Sequence, residues 1–352
     1  MSLLEETLAS IAPTDSPAKA AARARLEQLS MPFWALGRLM DLAEDLAGMT
    51  GSARPAVQRK TIVVMAADHG VVAEAVSAYP QEVTTQMVAN FVAGGASINA
   101  LARLAGAQVT VVDMGVAGDL SHLGGAVLDR KVGPGTRNMA RGPAMAHDEA
   151  VRAVEAGIGV ARELGPSTDV FGTGEMGIGN TTASSAIVAA VSGATAEEVT
   201  GRGTGIGDEQ LRHKAEIVRQ ALEVNRPDPA DGLDLLAKVG GFEIGGIAGL
   251  ILAAAAMRKP ILVDGFISTA GALVAQALSP LSVQYMIAAH RSVERGHRIA
   301  LETLGKKPLL DMDLRLGEGT GAALAMNLVE AAVRVLTEVA TFEEASVSHS
   351  NV

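Results

Sequence analysis

Cysteine is absent from all 352 residues. Disulfides, thiolate zinc sites and cysteine nucleophiles are excluded together, and a reducing compartment suits such a chain. Aromatic residues are scarce, with one Trp, two Tyr and six Phe, which leaves few platforms for stacking bases. Positive charge is short as well: 29 Lys and Arg face 39 Asp and Glu, for a formal net charge of −10. No run of five basic residues offsets that balance, so nucleic acid is not an expected partner. The N-terminus carries Glu5, Glu6 and Asp15 and lacks the basic-then-apolar layout of an export signal. Three uncharged stretches, 176–196, 244–257 and 265–289, are too short or too interrupted by polar residues for a bilayer span of about 20 apolar residues. They read as the core of a cytoplasmic globular protein with no membrane partner.

What the chain does have is apolar mass. Hydrophobic residues make up 48% of it, enough to bury a large core. Short β-branched runs recur, each ending in Asp, Gly or both: Thr61 to Asp68, Gln108 to Gly115, Asp169 to Gly174, Pro260 to Gly265 and Leu281 to Ala289. Longer Ala- and Leu-rich stretches with helical spacing separate them. This alternation predicts an α/β fold, a parallel sheet with helices on both faces, and ligands at the carboxyl ends of its strands. The chemistry is therefore expected after Asp68, Gly115, Gly174 and Asp264.

The ends of the chain differ from the middle. Ser16-Pro17 reads as an N-cap and first-turn proline opening a helix to about Leu29. A second helix is expected from Leu36 to Met49. Thr320 to Val339 reads as one long helix with apolar positions at Leu324, Leu328, Ala331 and Val335. Residues 1–50 and 320–345 are thus expected to form a small helical bundle beside a catalytic domain of residues 51–319, with 346–352 a polar tail.

Three glycine-rich strings are candidates for chemistry. Gly172-Thr173-Gly174-Glu175-Met176-Gly177 matches G-x-G-x-x-G after a strand, yet no acidic residue ends a strand about 20 positions on, as nicotinamide dinucleotides require. The freed N–H groups near Gly177 and Gly179, with Asn180 and Thr181 at a helix start, still suit an anion; a plain tight turn is the alternative. Gly201-Arg202-Gly203-Thr204-Gly205-Ile206-Gly207 precedes a helix with Lys214, and reads either as a second phosphate loop or as a flexible surface loop. Arg315-Leu316-Gly317-Glu318-Gly319 sets one carboxylate between glycines, which let a substrate approach and give it no cover from its sequence neighbours. Glu318 is either a proton acceptor raised in pKa by desolvation or an acid at a helix N-terminus.

Other constellations carry less. Asp68-His69-Gly70 and His290-Arg291-Ser292 follow strands, but there is no H-E-x-x-H and the seven histidines are scattered. Neither a catalytic metal nor another cofactor is expected, and Asp68 is expected to cap or orient a loop. Tyr79, in a turn before a helix with Gln86 and Met87, is a candidate wall for a flat apolar ligand or a packing residue. Met87 is expected in the core.

The strings A-A-D-H-G-V-V at 66–72, V-S-A-Y-P-Q-E-V-T at 76–84, G-E-M-G-I-G-N-T-T-A-S at 174–184, G-R-G-T-G at 201–205, D-G-F-I at 264–267, A-H-R-S at 289–292 and R-L-G-E-G-T-G-A-A-L-A at 315–325 run in one order. Together they resemble the nicotinate-nucleotide–dimethylbenzimidazole phosphoribosyltransferase family of cobalamin lower-ligand assembly. Ala75 departs from the family's E-G-V-S, where glycine is usual. The resemblance implies a Rossmann-like domain, a small helical domain from both chain ends and a homodimer. It implies transfer of phosphoribose from nicotinate mononucleotide to 5,6-dimethylbenzimidazole, giving α-ribazole 5′-phosphate and nicotinate. It further implies Glu318 as the base. Nucleotide contacts would fall on Glu175, Gly177, Asn180, Thr181, Gly203, Thr204, Gly205 and Lys214. Walls of the base pocket would fall on Tyr79, Pro80, Gln86 and Leu316.

Overall fold

The computed structural model describes residues 1–203 and 205–348. Six parallel strands form its sheet: β1 (Lys60–Ala67), β2 (Ala107–Gly115), β3 (Val127–Asp129), β4 (Val170–Met176), β5 (Ile261–Val263) and β6 (Met286–Ala288). Their order is β3-β2-β1-β4-β5-β6, so the winding reverses between β1 and β4, where doubly wound sheets open a ligand crevice. Every residue of β1 is buried, as a strand covered on both faces must be. A separate parallel pair joins β7 (His290–Ser292) to β8 (Leu310–Leu314).

Side-chain alternation sorts the helices into layers. Ile62 and Val64 of β1, with Gly172 and Gly174 of β4, face the Thr320–Glu338 helix and the turn before it, whereas Met65 faces Gly246 of the Phe242–Ala256 helix. The Phe242–Ala256 helix is apolar apart from Glu243 in its first turn and buried at every position through Ala255. With the Asn180–Ser192 and Phe266–Leu278 helices, it accounts for most of the three uncharged stretches. Thr320–Glu338 is the one helix among the described residues long and apolar enough to cross a membrane, yet more than half of its apolar window is buried inside the fold.

Several elements depart from expectation. Asp15, not Ser16, caps the Ser16–Leu26 helix, its carboxylate accepting from Ala18 N at 2.7 Å; Ser16 and Pro17 occupy the first turn, which needs no intrahelical donors. The second helix runs Arg38–Thr50. Leu281–Tyr285 is not strand but part of a 3-10 helix begun at Pro280, whose ring fixes a helical φ; only Met286–Ala288 joins the sheet. The buried stripe of Thr320–Glu338 runs through Ala322, Ala325, Met326, Val329, Ala332, Val333 and Leu336, leaving Leu324, Leu328, Ala331 and Val335 half-buried on its flank. That helix packs on the Ser97–Ala105 helix and β4 as well as on the Arg38–Thr50 and Ser16–Leu26 helices, so its contact face is wider than one four-residue seam. The Leu3–Ser10 helix lies elsewhere, against His147–Leu164, with Leu4 N donating to Glu155 Oε1 at 3.1 Å.

Candidate active site

The carboxyl end of β4 supplies the first wall. Glu175 is 6% exposed; Asn180 Nδ2 donates to its Oε2 at 2.5 Å. Burial, then the nearby Asp264 charge, pushes the Glu175 carboxyl up to about 8. The chain turns at Gly177 and Gly179 into the Asn180–Ser192 helix, bringing Thr181 beside Lys214 of the Asp208–Asn225 helix. Lys214 Nζ donates to Thr181 Oγ1 at 2.7 Å. This lysine is 2% exposed, and burial pulls its pKa down to about 8 against the attraction of Glu294. Among the described residues no carboxylate pairs with Lys214 within 4 Å, and a buried cation so placed suits an anion.

The second wall is the arc between β8 and the Thr320–Glu338 helix. Gly317, Glu318 and Gly319 have φ of +84°, +62° and +93°. Three left-handed residues in a row need glycine wherever a side chain is not required, and Glu318 is the one that keeps a side chain. It is only 6% exposed. Its neighbours in sequence leave it bare, as expected, but Ile98 at the start of the Ser97–Ala105 helix covers it, donating N–H to Glu318 Oε2 at 3.2 Å. Burial, and secondarily the Asp264 charge, raises the Glu318 pKa, while the Ile98 N–H opposes the rise.

Both walls face one cavity of about 760 Å³, within the usual range for small-molecule sites. Glu175, Gly177, Asn180, Thr181, Gly203, Gly205, Tyr79, Leu316 and Glu318 all line it; Lys214 reaches it through Thr181. Thr204 lies outside the described residues. Pro80 and Gln86 are exposed and do not line the cavity. Instead Val83 and Met87 do, with Met176 and Ile178. Met87, expected in the core, therefore reaches the cavity from a helix face one position on from Gln86. Sequence reasoning also passed over Glu294, which is 9% exposed, keeps Oε2 unpartnered and is raised in pKa by burial. Its only signal was its place two residues after A-H-R-S.

Histidines and aspartates near the strand ends serve other purposes. Asp68 Oδ2 accepts from Ala117 N at 2.8 Å, tying the loop after β2 to the end of β1. His69 Nε2 sits 2.7 Å from Glu243 Oε1, both buried. Among the described residues no group of three or more metal-ligating side chains converges.

A buried carboxylate and glycine turns line one cavity, with a buried lysine behind Thr181, an arrangement compatible with glycosyl transfer from a phosphorylated sugar. A family model described as phosphoribosyltransferase matches residues 11–347. The chain belongs to the nicotinate-nucleotide–dimethylbenzimidazole phosphoribosyltransferase family, and is an enzyme of the pentosyltransferase class. The protein of that name from Syntrophotalea carbinolica is 64% identical over 350 residues, covering 99% of each chain. Its counterpart in Geobacter sulfurreducens is 56% identical over the whole of both chains. The crystal structure of CobT from Thermus thermophilus superposes with a TM-score of 0.91 at 50% identity, covering 95% of this chain and 100% of that one. The fold is accordingly the α/β fold of that structure.

Proposed function

We propose that this enzyme transfers the 5-phosphoribosyl group of nicotinate mononucleotide to 5,6-dimethylbenzimidazole, forming α-ribazole 5′-phosphate and nicotinate for cobalamin lower-ligand assembly. The observation that carries the reading is Glu318, a buried carboxylate of raised pKa on the same cavity as Thr181, Gly203 and Gly205, with Lys214 bonded to Thr181 behind it. Phosphate binds at the loop and lysine, in charge-assisted contacts. Tyr79, Leu316, Val83, Met87 and Met176 offer the apolar walls that a flat dimethylbenzimidazole needs. Pro80 and Gln86 remain in the proposal as the rim of that wall.

The chemistry follows from the two substrates. The lone-pair nitrogen of benzimidazole attacks C1′ opposite the departing ring, so a β-glycosidic bond becomes α. The C1′–N bond breaks with its electron pair going to nicotinate, whose ring nitrogen was already cationic, and no leaving-group acid is needed. Glu318 takes the proton from the other benzimidazole nitrogen, so positive charge does not accumulate there. Glu175, held mostly protonated at neutral pH, keeps a second negative charge away from the base and can donate to a ribose hydroxyl. Burial raises both carboxyls, Glu175 to about 8, and the reading assigns the proton to Glu175 and the ionised form to Glu318. The homodimer implied by resemblance belongs to the same reading.

Incubating the purified protein with nicotinate mononucleotide and dimethylbenzimidazole, then following nicotinate release and the anomeric configuration of the product, tests it. Nucleotide binding without nicotinate release would make the protein a binder instead. A β product would exclude in-line attack.

A further inference from the structure

We propose that Asp264 is a positioning residue for this reaction: it caps the Thr320–Glu338 helix from a distance and fixes the backbone arc that presents Glu318. The inference rests on Glu318 being the base.

A helix start leaves four N–H groups without intrahelical acceptors. Here the N-cap is Gly319, which has no side chain to satisfy them. The cap comes from the end of β5. Asp264 Oδ2 accepts from Gly319 N at 3.2 Å and Oδ1 from Ala322 N at 2.9 Å. Asp264 is itself 1% exposed, and its own N–H donates to Thr173 Oγ1 of β4 at 3.0 Å. The sheet therefore holds the cap, and the cap holds the helix.

The peptide leaving Glu318 is the one that carries Gly319 N. The peptide entering it carries Glu318 N, which lies 3.4 Å from Glu175 Oε1. A buried carboxylate thus stands on each side of the residue. Between them Glu318 keeps φ at +62°, a region that is strained for a residue with a Cβ. Without the clamp the arc is free to relax, and its side chain swings away from Ile98 and the cavity. His290 closes the far side: its Nδ1 lies 3.7 Å from Asp264 Oδ1 with no hydrogen-bond partner. A Cβ on Gly321 would fall 1.9 Å from that nitrogen, so the helix start is pressed directly onto the Asp264–His290 pair.

Charge is the second consequence. Glu318 is faced by Glu175 from β4, by Asp264 after β5, by His290 from β7 and by Asp313 and Arg315 from β8 and its exit; Glu294 and Lys214 lie across the cavity. Asp264 is itself raised by burial; in its ionised form it is the charge that raises the Glu318 pKa beyond what burial does. Removing it lowers that pKa.

Asp264→Asn keeps the shape, loses the charge and leaves one acceptor. Two readouts decide. The Ile98 amide resonance, titrated by ¹H–¹⁵N NMR without substrate, reports Glu318 ionisation, and its midpoint should move to lower pH. At the pH plateau kcat should fall at least about tenfold, the scale expected of a misplaced catalytic group, while KM for nicotinate mononucleotide stays within about twofold. An unmoved midpoint overturns the proposal, as does unchanged kcat or a parallel loss of nucleotide affinity. Glu318→Gln run alongside separates the two ideas: near wild-type turnover there sinks the base, while the Ile98 titration still judges Asp264. If Asp264→Asn does not fold, Thr173→Val, which takes away the acceptor of the Asp264 N–H and loosens the cap, must lower kcat while KM for nicotinate mononucleotide stays within about twofold; an unchanged kcat overturns the proposal.

Discussion

Ile98 donates its backbone N–H to Glu318 Oε2 across 3.2 Å, from the first turn of the Ser97–Ala105 helix. A helix N-terminus favours the ionised carboxylate, whereas burial and the Asp264 charge favour the protonated one. The net shift is upward, so the affinity of Glu318 for a proton exceeds that of an ordinary carboxylate. The same N–H orients the acid before any substrate arrives.

Glu318→Gln keeps the size of the side chain but cannot take a proton. Because a positioned general base contributes typically 10²–10⁴-fold, kcat should drop on the order of that range. Only ionised Glu318 works, so wild-type kcat should decline as pH falls through its raised pKa, and the glutamine variant should lack that acidic limb. A variant with wild-type kcat and the same limb would send the search to another carboxylate.

Lys214 is the test of the anion subsite. It is buried, bonded to Thr181 and poor in neutralising partners, so a phosphate gains a charge-assisted contact worth about 1.5–3 kcal/mol. Lys214→Ala should raise KM for nicotinate mononucleotide by roughly tenfold or more, and leave KM for dimethylbenzimidazole nearly unchanged. Equal changes in both constants would mean that the lysine supports the cavity as a whole.

Local pattern made much of this legible. Continuous β-branched runs announced β1, β4 and the buried second half of β2, because a strand buried on both faces has no polar alternation to blur it, and glycines of all three strings line the cavity. Contacts that join distant segments left no such trace. Asp264 lies 55 residues before Gly319, and its bond to that helix start has no signature in either stretch. Ile98 meets Glu318 across 220 residues. β3, β7 and β8 escaped because three residues, or an exposed Leu310–Leu314 run, carry too little periodicity to register. Met87 was misjudged because helical spacing says which residues share a face, not whether that face meets core or cavity.

Ala75 shows how a sequence departure becomes a measurable cost. It ends the Gly70–Glu74 turn with φ +53° and ψ +37°, the left-handed conformation that glycine adopts without a Cβ penalty of about 1–2 kcal/mol. Glycine also adds roughly 0.4–1 kcal/mol of unfolded-state entropy. Ala75→Gly should therefore be stabilising by about 0.5–1 kcal/mol, read as a higher urea midpoint at unchanged slope. The usual loss seen for alanine to glycine would contradict the strain.

Glu175 links the site to the stability of the fold. Its pKa rises from the ordinary 4.5 to about 8 on folding, first through burial and then through the Asp264 charge. Below 4.5 both folded and unfolded chains carry the proton. Between 4.5 and about 8 the folded chain keeps it and the unfolded chain does not, so stability drains away as pH rises through that window and levels off above it. One proton corresponds to a slope of roughly 1.4 kcal/mol per pH unit. Asp264, Glu318 and His69 are also raised, from ordinary values of 3.8, 4.5 and 6.5, and each adds a loss of the same sign above its own ordinary value, so the readout is the difference between wild type and Glu175→Gln. Lys214 does not mask it, since its depressed pKa changes stability from about 8 upward. The glutamine cannot accept with both ends, so one of the bonds from Asn180 Nδ2 and Glu318 N is lost, and the variant should be the weaker protein near pH 5. It should then gain on wild type steadily as pH approaches 8, in urea unfolding at several pH values. Parallel stability curves would mean that Glu175 is ionised in the folded enzyme, and that it meets the substrate as an acceptor only.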